Sequence, residues 1–265
     1  MPTNVEDSLS ELLINAERFF FAKDFFIILF YFYDMSKTQE HIDMMFKAGA
    51  HYGYSKTRRH PSTASHIFTT KNKNDIIDLE KTAMSFESVL EFLAELGKGQ
   101  KTVLFVGAKP EAKKKVVETA TALDMPYVVE RWIGGTITNF VEIKKRIATL
   151  EELRDKREKG ELDMYTKKER LLIDQKIEKL TKYFGGLVHL KKAPDALFII
   201  DAKREHIALT EAQSAGIPII ALANTDTNIK GIEFPIVAND GSQSSIAFFL
   251  EQAKVAYESG KITKA

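Results

Sequence analysis

The chain has 265 residues, 44 % of them apolar and 28 % charged, enough for one large core or a core with an appendage. It contains no cysteine, which excludes a disulfide framework and a thiolate metal site and fits a reducing cytoplasm. A formal net charge of +1 excludes attachment to nucleic acid by bulk charge and leaves local basic patches as the route to phosphate.

From Phe19 to Tyr33 the chain reads FFFAKDFFIILFYFY. Its unbroken apolar run, Phe25 to Tyr33, is far short of the roughly 18–20 residues that span a bilayer. The residues before it are acidic and no small-residue cleavage site follows, so a secretory signal is not expected. Three readings fit residues 1–34: a helix docked on the body, a segment for a membrane surface or a partner, or a stretch ahead of the natural start. Met35-Ser36-Lys37-Thr38 has the form of such a start, and the hypothesis is that translation begins at Met35. An intact mass that includes residues 1–34 would exclude it.

Glu40 to Gly49 carries Ile42, Met45 and Phe46 at helical spacing and stops at a glycine. His51 to Pro61 reads as a loop with Lys56, Arg58 and Arg59 beside Tyr52 and Tyr54. Ile67 to Thr70 and Asp75 to Leu79 read as short strands around the polar turn Lys71 to Asn74. Lys81 to Leu96 has the apolar spacing of a helix. Further strands are predicted at Thr102 to Val106, Tyr127 to Val129 (within the stretch Pro126 to Glu130), Ala196 to Ile200, Pro218 to Leu222 and Pro235 to Val237. Helices are predicted at Pro110 to Leu123, Ile207 to Ala215 and Ser244 to Tyr257. Continuous apolar strands separated by helices predict an α/β fold with a mostly parallel sheet covered on both faces.

The stretch Arg131 to Phe140 holds the only tryptophan, Trp132, and the pair Gly134-Gly135. Beyond it, Phe140, Ile143, Ile147, Leu150 and Leu153 form one apolar stripe and Ile173, Ile177, Leu180 and Phe184 another. Thr166-Lys167-Lys168-Glu169 has the capping-box pattern that opens a second helix. Stripes this narrow can be buried only against each other, which predicts an inserted antiparallel coiled-coil helical hairpin. The domain map is therefore an extension at 1–34, a globular body at 35–137 and 186–260, the hairpin at 138–185 and a tail at 261–265.

Chemistry is sparse. Val106-Gly107-Ala108-Lys109-Pro110 follows a strand and opens a helix, but it is neither a P-loop nor a dinucleotide fingerprint. Asn224-Thr225-Asp226 and Asn239-Asp240-Gly241 end strands with polar residues, which turn and cap chemistry explains more plainly than catalysis. Glu205-His206 lacks a third group to orient the imidazole. No catalytic residue, metal site or cofactor is expected. The basic segments say more. Lys56, Arg58 and Arg59 share a loop with tyrosines, and Arg131 adjoins Trp132. Lys109, Lys113 and Lys114 sit at a helix start, where the N–H groups and dipole favour phosphate. Cations beside aromatics suit an RNA surface. Each also has a plainer role open to it: the lysines as a solvated face, Trp132 as a core anchor, Arg58 and Arg59 as loop solubility.

Ordered blocks from Thr38 to Gly260 carry a resemblance. They include Ala48 to Gly53, Ile76 to Thr82, Leu104 to Gly107, Arg131 to Gly135, Thr138 to Phe140, Thr166 to Glu169, Gly185-Gly186, Pro194 to Asp201, Glu205 to Ala208, Gly216 to Pro218 and Asn239-Asp240. The chain resembles the family of the second protein of the small ribosomal subunit, bacterial type. That resemblance implies a three-layer, Rossmann- or flavodoxin-like body with a protruding hairpin and no enzymatic activity. It implies binding to 16S ribosomal RNA between the head and body of the subunit, beside neighbouring small-subunit proteins, in the cytoplasm and not at a membrane. Members of the family also help to dock the largest small-subunit protein. Tyr52, Tyr54 and Ser55 depart from the Phe, His and Gln common in the family's loop. Two other functions stay open on the residues alone. One is a phosphate-ligand enzyme using Lys109 and Asn224 to Asp226 at the sheet's C-terminal edge. The other is an interaction module whose hairpin grips a protein.

Overall fold

A computed structural model describes residues 39–262; the Phe-rich stretch and the start proposed at Met35 lie outside the described residues. Residues 39–47 are helical (α1), and the chain from Met44 onward forms one compact unit. Its centre is a five-stranded sheet of β4 (Val103–Val106), β5 (Tyr127–Val128), β6 (Ala196–Ile200), β7 (Ile219–Ala223) and β8 (Phe234–Val237). The order is β5-β4-β6-β7-β8 and every pairing is parallel, with Val103 opposite Ala196 and Leu197 opposite Ile219. Every residue of β4, β6 and β7 is buried, as a parallel sheet covered on both faces requires.

Alternation along the strands divides the core in two. Leu104, Val106, Leu197, Ile199, Ile219 and Ala221 cluster with Ala208 and Ala212 of α6 (His206–Ala215). The intervening residues point the other way, with the rings of Phe105 and Phe198 stacked 5.5 Å apart. Helices α2 (Leu79–Lys98), α3 (Pro110–Leu123) and α7 (Gln243–Ile262) pack together. Phe86 meets Phe249 edge-on at 5.0 Å. Where α2 crosses α7 the backbones touch, because a Cβ on Gly97 would run into the Tyr257 carbonyl and one on Gly260 into that of Ala94.

A second, three-stranded antiparallel sheet in the order β1-β3-β2 corrects the sequence reading of 51–61 as loop throughout. Its strands are β1 (Tyr52–Ser55), β2 (Ile67–Lys71) and β3 (Asn74–Ile77). Strand β1 has no apolar alternation to announce it; it forms because β3 offers an edge, with a register shift between Tyr52 and Ser55. Asn72 and Lys73 both take positive φ, the two-residue hairpin turn whose twist suits the flanking strands. Other boundaries shift locally. Leu79 opens α2 instead of closing β3, since the Asp78 carboxylate accepts from the Glu80 N–H at 3.2 Å and caps the helix. Val129 lies past β5, and α7 runs to Ile262, into the stretch read as a tail.

The insertion forms α4 (Phe140–Glu158) and α5 (Lys167–Phe184), joined by a short 3-10 turn. They run antiparallel: Arg154 Nη2 donates to Thr181 Oγ1 at 3.0 Å, and Arg157 faces Asp174 at 4.0 Å. The capping box at Thr166 and Glu169 is present in both directions. Ile143, Ile147 and Phe184 join the sheet's core, whereas farther out Leu150 and Ile177 are buried. The return to the body is tight, because a Cβ on Gly186 would collide with the Tyr127 carbonyl.

Candidate nucleic-acid interface

At the C-terminal ends of the strands, Lys109 caps the loop after β4. Its Nζ lies 3.2 Å from Asp201 Oδ2 and 3.3 Å from Asp240 Oδ1. Asn224 Nδ2 donates to the same Asp240 oxygen at 3.1 Å. Burial, followed by the Asp201 carboxylate, pushes the Asp240 pKa up to about 6. Burial works to lower the Lys109 pKa, but Asp240 and Asp201 raise it. Lys109 is thus spent on two carboxylates, and a phosphate entering here would meet both. The loop after β7 is equally committed. The Thr225 carbonyl accepts from His60 N–H at 2.9 Å and Thr63 Oγ1 at 2.7 Å, and Thr225 Oγ1 accepts from Tyr54 N–H at 3.0 Å. The residues that a phosphate enzyme would have used are brought together, but as an internal lock.

Other cations read from the sequence are also engaged. Arg59 clamps buried Asp75 through Nε at 2.8 Å and Nη2 at 2.5 Å, and that guanidinium holds the Asp75 carboxyl below its usual pKa. Arg58 lies 4.5 Å over the Tyr54 ring and 3.4 Å from Asp226, a carboxylate shared with Lys203 at 2.7 Å. Lys113 pairs with Glu130 at 2.7 Å. Lys56, Lys114 and Arg131 are exposed and form no ion pair among the described residues.

Of the two roles open to Trp132, the burial of its side chain fits the core anchor. It is 3 % exposed and belongs to the core cluster, reaching the wall of the two clefts that Arg131 lines. What fixes it is Glu211 of α6. One carboxylate oxygen accepts from Trp132 Nε1 at 3.2 Å and Gly135 N–H at 2.7 Å. The other accepts from Ile137 N–H at 3.1 Å and Thr138 N–H at 3.4 Å. Burial alone would raise the Glu211 pKa, but these donors outweigh it and hold the carboxylate ionised. The positive φ of Gly135 lets successive N–H groups converge on one side chain. Glu211 therefore ties the whole junction to α6, and nothing in its sequence surroundings singled it out.

Arg131, held at this junction, lines two clefts. One, of about 470 Å³, opens beside the ends of β4 and β6 and is also lined by Lys113, Arg204 and His206. The other, of about 830 Å³, lies between the junction and the base of the helix pair and is also lined by Arg146, Lys176, Lys179 and Tyr183. Among the described residues, no group of three or more His, Asp or Glu is placed to hold a metal ion, and no helix is long and apolar enough to cross a membrane.

Comparison with known proteins adds a family. The family model described as "Ribosomal protein S2" matches residues 45–260. The chain is 39 % identical over 221 residues to the "Small ribosomal subunit protein uS2" of Sulfurimonas denitrificans, covering 83 % of this chain and 85 % of that protein. It is 38 % identical over 217 residues to the protein of the same name from Wolinella succinogenes, covering 82 % and 80 %. For that of Roseiflexus castenholzii the identity is 41 % over 212 residues, covering 80 % of each.

Proposed function

This chain belongs to the ribosomal protein S2 family, whose members are structural ribosomal proteins and not enzymes, and from that premise we propose how it works. It is a component of the small ribosomal subunit that binds 16S ribosomal RNA between head and body, in the cytoplasm. It neutralises phosphates with side chains held rigidly by the fold, and its shape, not a base code, provides the fit. In that position, beside neighbouring small-subunit proteins, it supports docking of the largest of them. The antiparallel pair α4–α5 acts as a coiled-coil arm that extends the contact surface.

The observation that carries this reading is the sorting of charge. Asp201 and Asp240 engage Lys109 and Asn224 at the strand ends, where an α/β enzyme would turn such groups on a ligand. Five exposed cations that form no ion pair among the described residues line the two clefts that share Arg131. Of the residues named from the sequence, Lys56, Lys114 and Arg131 are proposed to touch RNA, and Arg58 and Lys113 to do so while sharing a carboxylate. Lys109, Arg59 and Trp132 hold the scaffold that presents them. The test is sedimentation of cell extracts. The protein should travel with small subunits at low salt and leave them at high salt, because returning counterions compete for the phosphates. A protein absent from small subunits at low salt would overturn the reading.

A further inference from the structure

The two clefts share Arg131 and Trp132 in their walls and lie one after the other, one beside the ends of β4 and β6 and the other at the base of the α4–α5 pair, as two parts of a trough. Six cationic side chains line it (Lys113, Arg131, Arg146, Lys176, Lys179 and Arg204), against three carboxylates. Only one of these carboxylates neutralises a cation of the row, and five cations are left without an ion pair among the described residues. Glu130 serves Lys113 at 2.7 Å and Glu142 serves Lys145 at 2.6 Å. Glu205 is buried and accepts from the Ala108 N–H at 3.4 Å. Arg131, Arg146, Lys176, Lys179 and Arg204 are exposed and form no ion pair among the described residues.

Side chains of this kind carry mobile counterions in the free protein, and an RNA strand laid across them releases those ions. Cations already matched by carboxylates gain far less from such an encounter. The trough's two ends are fixed relative to each other, because Glu211 fastens the Arg131 segment to α6 while Ile143 and Phe184 anchor the helix pair in the core. Cations that rise from a fixed backbone and form no ion pair among the described residues fit a folded sugar–phosphate backbone better than a flexible chain.

We propose that this trough is the path of an RNA phosphate backbone, with Arg131 at its midpoint and Arg146, Lys176, Lys179 and Arg204 on either side. The proposal rests on the functional reading above and deepens it, since the sequence pattern alone points to only one of these five residues, Arg131. The test uses the full chain and small subunits washed free of this protein, and follows binding as a function of salt. The triple variant Arg146→Ala, Lys176→Ala, Lys179→Ala and the double variant Arg131→Ala, Arg204→Ala should each reduce the steepness of log affinity against log salt, by about 0.7–0.9 for every phosphate left without its cation. Arg131→Lys and Arg146→Lys, which keep the charge, should retain most of it. Lys98→Ala, at the end of α2 and away from the trough, should leave it unchanged. If the unaltered protein binds but the trough variants keep its full salt dependence, the trough is overturned and the functional reading stands. If the unaltered protein does not bind, both fall.

Discussion

The strand ends and the Arg131 junction hold the same kinds of side chain and use them in opposite ways. At the strand ends Lys109 lies between Asp201 and Asp240, and Arg59 and Arg58 are turned onto Asp75 and Asp226. At the junction the anchoring group is a carboxylate, Glu211, held by backbone and indole N–H donors, and Arg131, Arg146 and Arg204 nearby form no ion pair among the described residues. Positive charge in a sequence is therefore either mortar or surface, and only the position of the carboxylates decides which.

The largest expected effect comes from removing mortar. Lys109→Met leaves two carboxylates close together and largely buried without their shared cation, at a cost of about 3–5 kcal/mol. Urea denaturation should show that loss, while the salt dependence of RNA binding by the folded variant should not change. A variant of unaltered stability would return Lys109 to the surface class.

The same cluster sets a pH dependence. The Asp240 carboxyl rises from 3.8 to about 6 in the folded protein. Between those values the folded chain holds a proton that the unfolded chain has released. Stability is therefore full below the lower value and falls as pH rises through the upper one. The difference is roughly 2–3 kcal/mol at ~1.4 kcal/mol per pH unit. Thermal unfolding from pH 4 to 7 should show this decline in the natural chain and lose it in Asp240→Asn. Parallel profiles for the two would contradict the assignment.

At the junction, Glu211→Ala leaves the N–H groups of Trp132, Gly135 and Ile137 without their acceptor, at a cost of about 1.5–3 kcal/mol. Here stability and RNA binding should fall together, since Arg131 loses its support. Smallest is Arg58→Ala: Arg58 shares Asp226 with Lys203, so the salt slope should fall by less than the ~0.7–0.9 of a fully engaged phosphate. A drop as large as that from Arg131→Ala would move the RNA path toward β1.

This contrast also decides what could be read from residues alone. Strands β4 and β6 and helix α3 were legible because an unbroken apolar run and a proline at a helix start, Pro110, each point to one kind of local structure. The helix pair was legible from two narrow stripes and a capping box. Strand β1 was not, because its partner β3 is some twenty residues away and its own pattern is polar. Nor were the ion pairs: Lys109 and Asp240 are far apart in sequence and meet only once the sheet has formed. Glu211 was hidden among 37 acidic residues, and Arg146, Lys176 and Lys179 among the charges of two helices. The indole of Trp132, rare enough to attract attention, proved to be core.

The most direct measurement uses the absence of cysteine. A single cysteine at exposed Glu142, on the wall of the second cleft, and another at exposed Met84 on α2 can each carry a tethered iron chelate into small subunits. Hydroxyl radicals generated there cut only nearby RNA. Strong cleavage of 16S ribosomal RNA from position 142 and little from position 84 is expected if unmatched cations at the junction face the RNA; cleavage from 84 with silence at 142 would contradict it.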